Sequence, residues 1–127
     1  MSPTQSSCCP PKPRIADRPL LDPALAQALG EVFKVLANDT RLRLLHALIR
    51  AGELCVTDLA GALGMSPQAV SNQLQRLSGR GILGVRRSGT SLYYRVVDPC
   101  VARLLDQGLC LQEDAEAKEG SSRGQTA

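Results

Sequence analysis

Apolar positions in this chain recur at helical spacing over four stretches, switch to an alternating pattern, and return to helical spacing once more. Asp22-Pro23 places an N-cap residue before a first-turn proline. Leu25, Leu29, Val32, Phe33 and Leu36 follow on one face, so a first helix is predicted to about Ala37. Asn38-Asp39 opens a second helix, with Leu42, Leu45, Leu48 and Ile49 inward and Ala51-Gly52 at its end. A short third helix is expected over Val56 to Leu63, stopping at Gly64. Ser66-Pro67 then opens a fourth, with Val70, Leu74 and Leu77 inward and an end near Gly79 to Gly81. Leu83 to Arg87 and Ser91 to Val97 are β-rich runs joined by Arg87-Ser88-Gly89-Thr90, a hairpin signal. Asp98-Pro99 again pairs a cap with a first-turn proline, and Val101, Leu104, Leu105 and Leu109 mark a last helix.

The order α-α-α-α-β-β-α gives a mainly α (α+β) class. Two helices joined by a tight turn at Gly64-Met65, followed by a basic hairpin, describe a winged helix-turn-helix. At 100° per residue the fourth helix turns Gln68, Ser71, Asn72 and Gln75 away from its apolar face, behind the capping Ser66. Amides and hydroxyls donate and accept at once, which suits base edges and phosphates in a major groove. Arg86, Arg87 and Thr90 sit on the hairpin, where a wing lies along the DNA backbone or dips into the minor groove. Tyr93 and Tyr94 alternate across a strand, so one is expected in the core and the other partly exposed; neither reads as a base-stacking residue.

Charge sharpens this picture. The net charge is only +3, but Ser66 to Val97 carries five arginines and no acid, while Asp98 onward carries six acids against three bases. A solvated charged face competes as an explanation. The turn, the acid-free block and the basic hairpin together favour double-stranded DNA as partner.

Of 127 residues, 43% are apolar and only three are aromatic, which predicts one domain with an aliphatic core. Residues 1–19 hold five prolines and read as a mobile arm, 20–111 as the folded domain, and 112–127 as a disordered tail. No apolar run is long enough to span a membrane and no signal-type segment opens the chain. A cytoplasmic location with reduced thiols is the expectation. An odd count of five cysteines argues against a closed disulfide framework.

Three segments carry a family resemblance: Val35-Leu36-Ala37-Asn38-Asp39-Thr40-Arg41-Leu42-Arg43-Leu44-Leu45, Glu53-Leu54-Cys55-Val56-Thr57-Asp58-Leu59 and Gln68-Ala69-Val70-Ser71-Asn72-Gln73-Leu74. Over roughly Ala24 to Leu111 the chain resembles the ArsR/SmtB metal-responsive repressors. The resemblance implies a homodimer that binds operator DNA when metal-free and lets go when metal binds. It also marks Glu-Leu-Cys-Val as a metal box. The box often reads Cys-Val-Cys, and here Thr57 stands at its second cysteine, so Cys55 needs thiols from elsewhere. Cys8-Cys9 on the arm is the obvious source, an arrangement similar to that of some arsenic-responsive members. The arm is long enough, since the fourteen residues from Cys9 to Pro23 reach up to ~45 Å extended.

Three thiolates make a trigonal pyramid that suits As(III) or Sb(III), and a fourth ligand would admit Cd(II) or Pb(II). For Cys55 taken alone, burial as a small apolar residue competes with ligation. Cys100 and Cys110 frame the last helix and, about 15 Å apart, cannot share an ion within it. Antiparallel pairing of that helix across a dimer would bring Cys100 near the partner's Cys110 as a second site; packing as small interface residues is the competing reading. Zinc sensors of the family carry Asp-x-His and further His and Glu ligands. Here Asp98-Pro99-Cys100 is followed by Cys110, Leu111, Glu113 and Asp114, and the one histidine, His46, lies on a core helix. Zinc is therefore disfavoured.

Two functions compete on this scaffold: a repressor released by a soft ion, and a thiol redox or persulfide sensor in which Cys8-Cys9 or Cys100-Cys110 oxidise. The sequence contains no Gly-rich phosphate loop, no nucleophile elbow and no histidine near a cysteine, so the chain is read as a regulator and not as an enzyme.

Overall fold

Helices start where the sequence supplies an acceptor for their first unpaired N–H groups. In the computed structural model, which describes residues 11–126 and side chains as far as 119, α1 (Pro23–Leu36) is capped by Asp22, whose carboxylate accepts from the Leu25 N–H at 2.8 Å. α2 (Asp39–Ala51) is capped by Asn38 through the Arg41 N–H at 3.0 Å. α3 (Val56–Leu63) has no side-chain cap and leaves directly from β1 (Leu54–Cys55), with Cys55 in its N-cap position. α4 (Pro67–Ser78) is capped by Ser66 through the Ala69 N–H at 3.2 Å.

Between α3 and α4 the backbone of Gly64 turns left-handed at φ +67°, which favours glycine, and the Met65 N–H closes the turn on the Ala60 carbonyl at 3.0 Å. β2 (Leu83–Ser88) and β3 (Ser91–Val96) form the expected hairpin, with Ser88 opposite Ser91. Its two-residue loop starts at Gly89 with φ +63°, a position where the primed hairpin turns favour glycine. β1 adds a third strand, in the order β1-β3-β2, all antiparallel. Two residues are too few for an alternating pattern to show, so this strand was invisible in the sequence.

The core is aliphatic, as the composition requires. Leu44, Leu45 and Leu48 of α2 meet Leu59 and Leu63 of α3 and Val70, Leu74 and Leu77 of α4, with Leu36, Ile82 and Val101 closing the cluster. Leu42 departs from the expected inner face: it is 39% exposed while Leu44 is fully buried. At 100° per residue Leu42 lies roughly 110° from the centre of the face formed by residues 44, 45 and 48. Tyr93 and Tyr94 are both half-buried, where one core residue and one partly exposed residue were expected. Tyr94 packs against the core and Tyr93 lies beneath Arg86.

α5 runs over Pro99–Thr126, so the stretch after Leu111 that was expected to be disordered is helical. Residues 112–119 (Gln-Glu-Asp-Ala-Glu-Ala-Lys-Glu) contain no glycine or proline, and Gln112 donates to Glu116 one turn on at 3.3 Å. At the other end, residues 11–20 are exposed and carry a single 3-10 turn, Ile15–Asp17, with an Arg14–Asp17 ion pair at 3.3 Å. The part of the arm holding Cys8 and Cys9 lies outside the described residues.

Candidate nucleic-acid interface and thiol positions

The candidate reading face is built by burying the opposite side of α4. Val70, Leu74 and Leu77 are at most 1% exposed, which fixes the helix roll and leaves Gln68, Asn72 and Gln75 in solvent with Ser71 half-buried beside them. Gln68 donates to the Asn72 side-chain carbonyl at 3.1 Å, so the two amides are pre-aligned one turn apart. Ser66 stands at the start of this face, but its hydroxyl oxygen already serves as the helix cap.

One contact that sequence reasoning missed holds the helix from behind. Arg41 of α2 donates through Nε to the Gln73 side-chain oxygen at 2.9 Å and through Nη1 to the Val35 carbonyl at the end of α1. A single guanidinium thus ties the reading helix to α1. The sequence showed an arginine in the first turn of a helix, with no sign that its partners were six and thirty-two residues away.

The wing arginines differ in state. Arg87 is exposed near the tip, with Thr90, and makes no ion pair among the described residues. Arg86, expected to face DNA, is gripped by Glu53: Nη2 to Oε1 at 2.7 Å and Nε to Oε2 at 3.1 Å, a two-pronged pair. Its guanidinium also stands 5.0 Å over the Tyr93 ring. Hydrogen bonding from Arg86, then its charge and that of Arg95, hold the Glu53 carboxyl below the usual glutamate range. Glu53 belongs to the metal-box segment but carried no sequence signal for this role, because the pairing depends on β1 lying beside the hairpin.

Of the thiols predicted to ligate, Cys55 is half-buried where β1 meets α3, and Cys100 and Cys110 are exposed on α5; none of the three is in a disulfide. The Cys110 Sγ lies 4.0 Å from an Asp114 carboxylate oxygen, and the Cys100 N–H donates to Asp98 at 2.9 Å. Among the described residues no three His, Cys, Asp or Glu side chains converge within one chain. His46 is exposed on α2, away from the core in which the sequence placed it.

A helix-turn-helix with a polar reading helix and a cationic two-stranded wing defines a winged-helix DNA-binding protein. Residues 38–84 match the family described as "Bacterial regulatory protein, arsR family". The crystal structure of the AntR antimony-specific transcriptional repressor superposes with a TM-score of 0.72 at 62% identity, covering 87% of this chain and 99% of that one. The regulator NmtR of Mycobacterium tuberculosis is 42% identical over 89 residues, 70% of this chain and 73% of its own. A homolog of the repressor SmtB from Synechocystis is 46% identical over 79 residues; the match spans 62% of this chain and 59% of that protein. The chain belongs to the ArsR family of bacterial regulators.

Proposed function

We propose that this protein is a homodimeric, cytoplasmic transcriptional repressor that holds operator DNA when ion-free and releases it when As(III) or Sb(III) binds cysteine thiolates. The observation that carries the reading is the position of Cys55. It is at once the last residue of β1, paired with the wing strand, and the N-cap of α3, the first helix of the helix-turn-helix. A ligand pulling on that thiol acts on both DNA-facing units together. The similarity to an antimony-specific repressor supports the choice of ion class, as does the donor chemistry, since thiolates prefer soft ions and three of them suit a lone-pair metalloid. Cys8 and Cys9 supply the other two thiolates in this reading. With a fourth ligand the same set takes Cd(II) or Pb(II).

Repression by a dimer follows from geometry. One chain carries one reading helix, and two must lie about 34 Å apart to enter successive major grooves. The apolar face of α1 is available to pair: Leu25, Leu29 and Phe33 are 53%, 41% and 48% exposed. Among the described residues no helix is long and apolar enough to cross a membrane.

Reduced protein bound to a duplex selected from a random pool should be released by arsenite or antimonyl tartrate, with thiolate-to-ion absorption in the ultraviolet. Cys55→Ser should bind the duplex normally and lose release, a coupling of about 1–3 kcal/mol, or roughly 5- to 150-fold in affinity. Full response in a Cys8→Ser/Cys9→Ser variant, with none in Cys100→Ser/Cys110→Ser, would move the site to α5. Release by oxidant or polysulfide without any ion would make the protein a redox sensor instead.

A further inference from the structure

Three residues from three strands share one row of the small sheet. Cys55 opposes Tyr93, and Tyr93 opposes Arg86, so their side chains leave the same face. Glu53, immediately before β1, reaches that face too and closes on the Arg86 guanidinium with both carboxylate oxygens. The Arg14–Asp17 and Glu31–Lys34 ion pairs join neighbours three apart in sequence, whereas this one joins residues thirty-three apart. Ser66 to Val97 carries five arginines and no acid, so Glu53, the residue immediately before β1, brings a carboxylate from outside that block to one cation of the wing.

We propose that Glu53 competes with operator DNA for Arg86: it occupies the guanidinium as a backbone phosphate would, Arg86 exchanges between Glu53 and DNA, and the placement of β1 governs the exchange. The fork of Nε and Nη2 fits a carboxylate or a phosphate equally well, and the same two N–H groups cannot satisfy both. Arg87, with no ion-pair partner among the described residues, needs no such release. β1 also carries Cys55, so an ion held there that draws β1 against the sheet favours the Glu53–Arg86 pair and withdraws one phosphate contact. This last step rests on Cys55 being the sensing thiol; the exchange itself does not.

The test is a double-mutant cycle on ion-free protein, read by fluorescence anisotropy of a labelled operator duplex over a series of salt concentrations. Glu53→Gln should bind about threefold tighter or more near 0.1 M salt and steepen the log–log salt slope by about 0.9, the signature of one added phosphate contact. In an Arg86→Ala background the same substitution should change nothing. An equal gain in that background would show that Glu53 acts only through its general field. Weaker or unchanged binding by Glu53→Gln, with an unaltered melting curve, would show that it merely braces the wing. Either result overturns the exchange.

Antimonyl tartrate provides the second arm. Glu53→Gln should titrate with the ion as the parent protein does, yet show an ion-driven loss of DNA affinity at least threefold smaller. A full response in Glu53→Gln would overturn the link through β1 while leaving the sensing thiol in place. A full response in Cys55→Ser would overturn the sensing thiol, and the ion-free cycle would still decide the exchange.

Discussion

Arg86 and Arg87 are adjacent in sequence and alike in chemistry, yet β-strand alternation sends them to opposite faces, and of the two only Arg86 meets a carboxylate among the described residues. The expectation for Arg87 is therefore the simpler one. Arg87→Ala should weaken binding to all duplex sequences alike and lower the salt slope by about 0.9, as loss of one phosphate contact does. An unchanged slope would show that the wing tip does not reach the backbone. Gly84 offers a second test at this scale. A Cβ built there would stand 2.6 Å from Val97 Cγ1 and 3.2 Å from Arg95 Cζ. Arg95 can swing aside, but valine is stiff at χ1, so the strand must shift. Gly84→Ala should destabilise the fold by about 1–2 kcal/mol in urea unfolding, and adding Val97→Ala should recover most of it.

At the scale of elements, the capped helices and the hairpin were legible because each is announced locally, by Asp22-Pro23, Asn38-Asp39 and Ser66-Pro67 at helix starts and by Gly89 in a loop. The polar set Gln68, Ser71, Asn72 and Gln75 was legible for the same reason, since a helical period fixes which side chains oppose Val70 and Leu74. What escaped was whatever depends on elements meeting. β1 exists only because β3 passes beside Leu54 and Cys55, and Glu53 finds Arg86 only across that sheet. Arg41 belongs to the same kind. Because it joins the Val35 carbonyl of α1 to Gln73 of α4, Arg41→Met should keep the packed stem but lose both bonds. The expected cost is about 1.5–3 kcal/mol of stability, the range for hydrogen bonds from a charged group. Gln73→Met should cost less, and the two together less than their sum, measured by urea denaturation of the four variants. Strict additivity would mean that the Arg41–Gln73 bond contributes nothing in solution.

For the whole molecule, the unfinished surface is an apolar groove of about 780 Å³ between α1, α2 and α5, lined by Phe33, Leu36, Leu42, Leu104, Leu109 and Leu111. Leu42 looked misplaced as a core residue of α2, but it belongs to this groove, which a single chain leaves open. Leu109 and Leu111 are 53% and 72% exposed, and an exposed patch of this kind marks an interaction surface. The homodimer proposed above would cover this groove with a second copy of the chain. Phe33→Asp with Leu111→Asp should then give a folded monomer in sedimentation, because neither side chain belongs to the buried core around Leu45 and Leu74. Operator affinity should fall by about 10²-fold or more, since the two half-sites would no longer be bound as one tethered event. A variant that still sedimented as a dimer, or a monomer that kept full affinity, would place the assembly surface elsewhere and leave α1 and α5 without a part in operator binding.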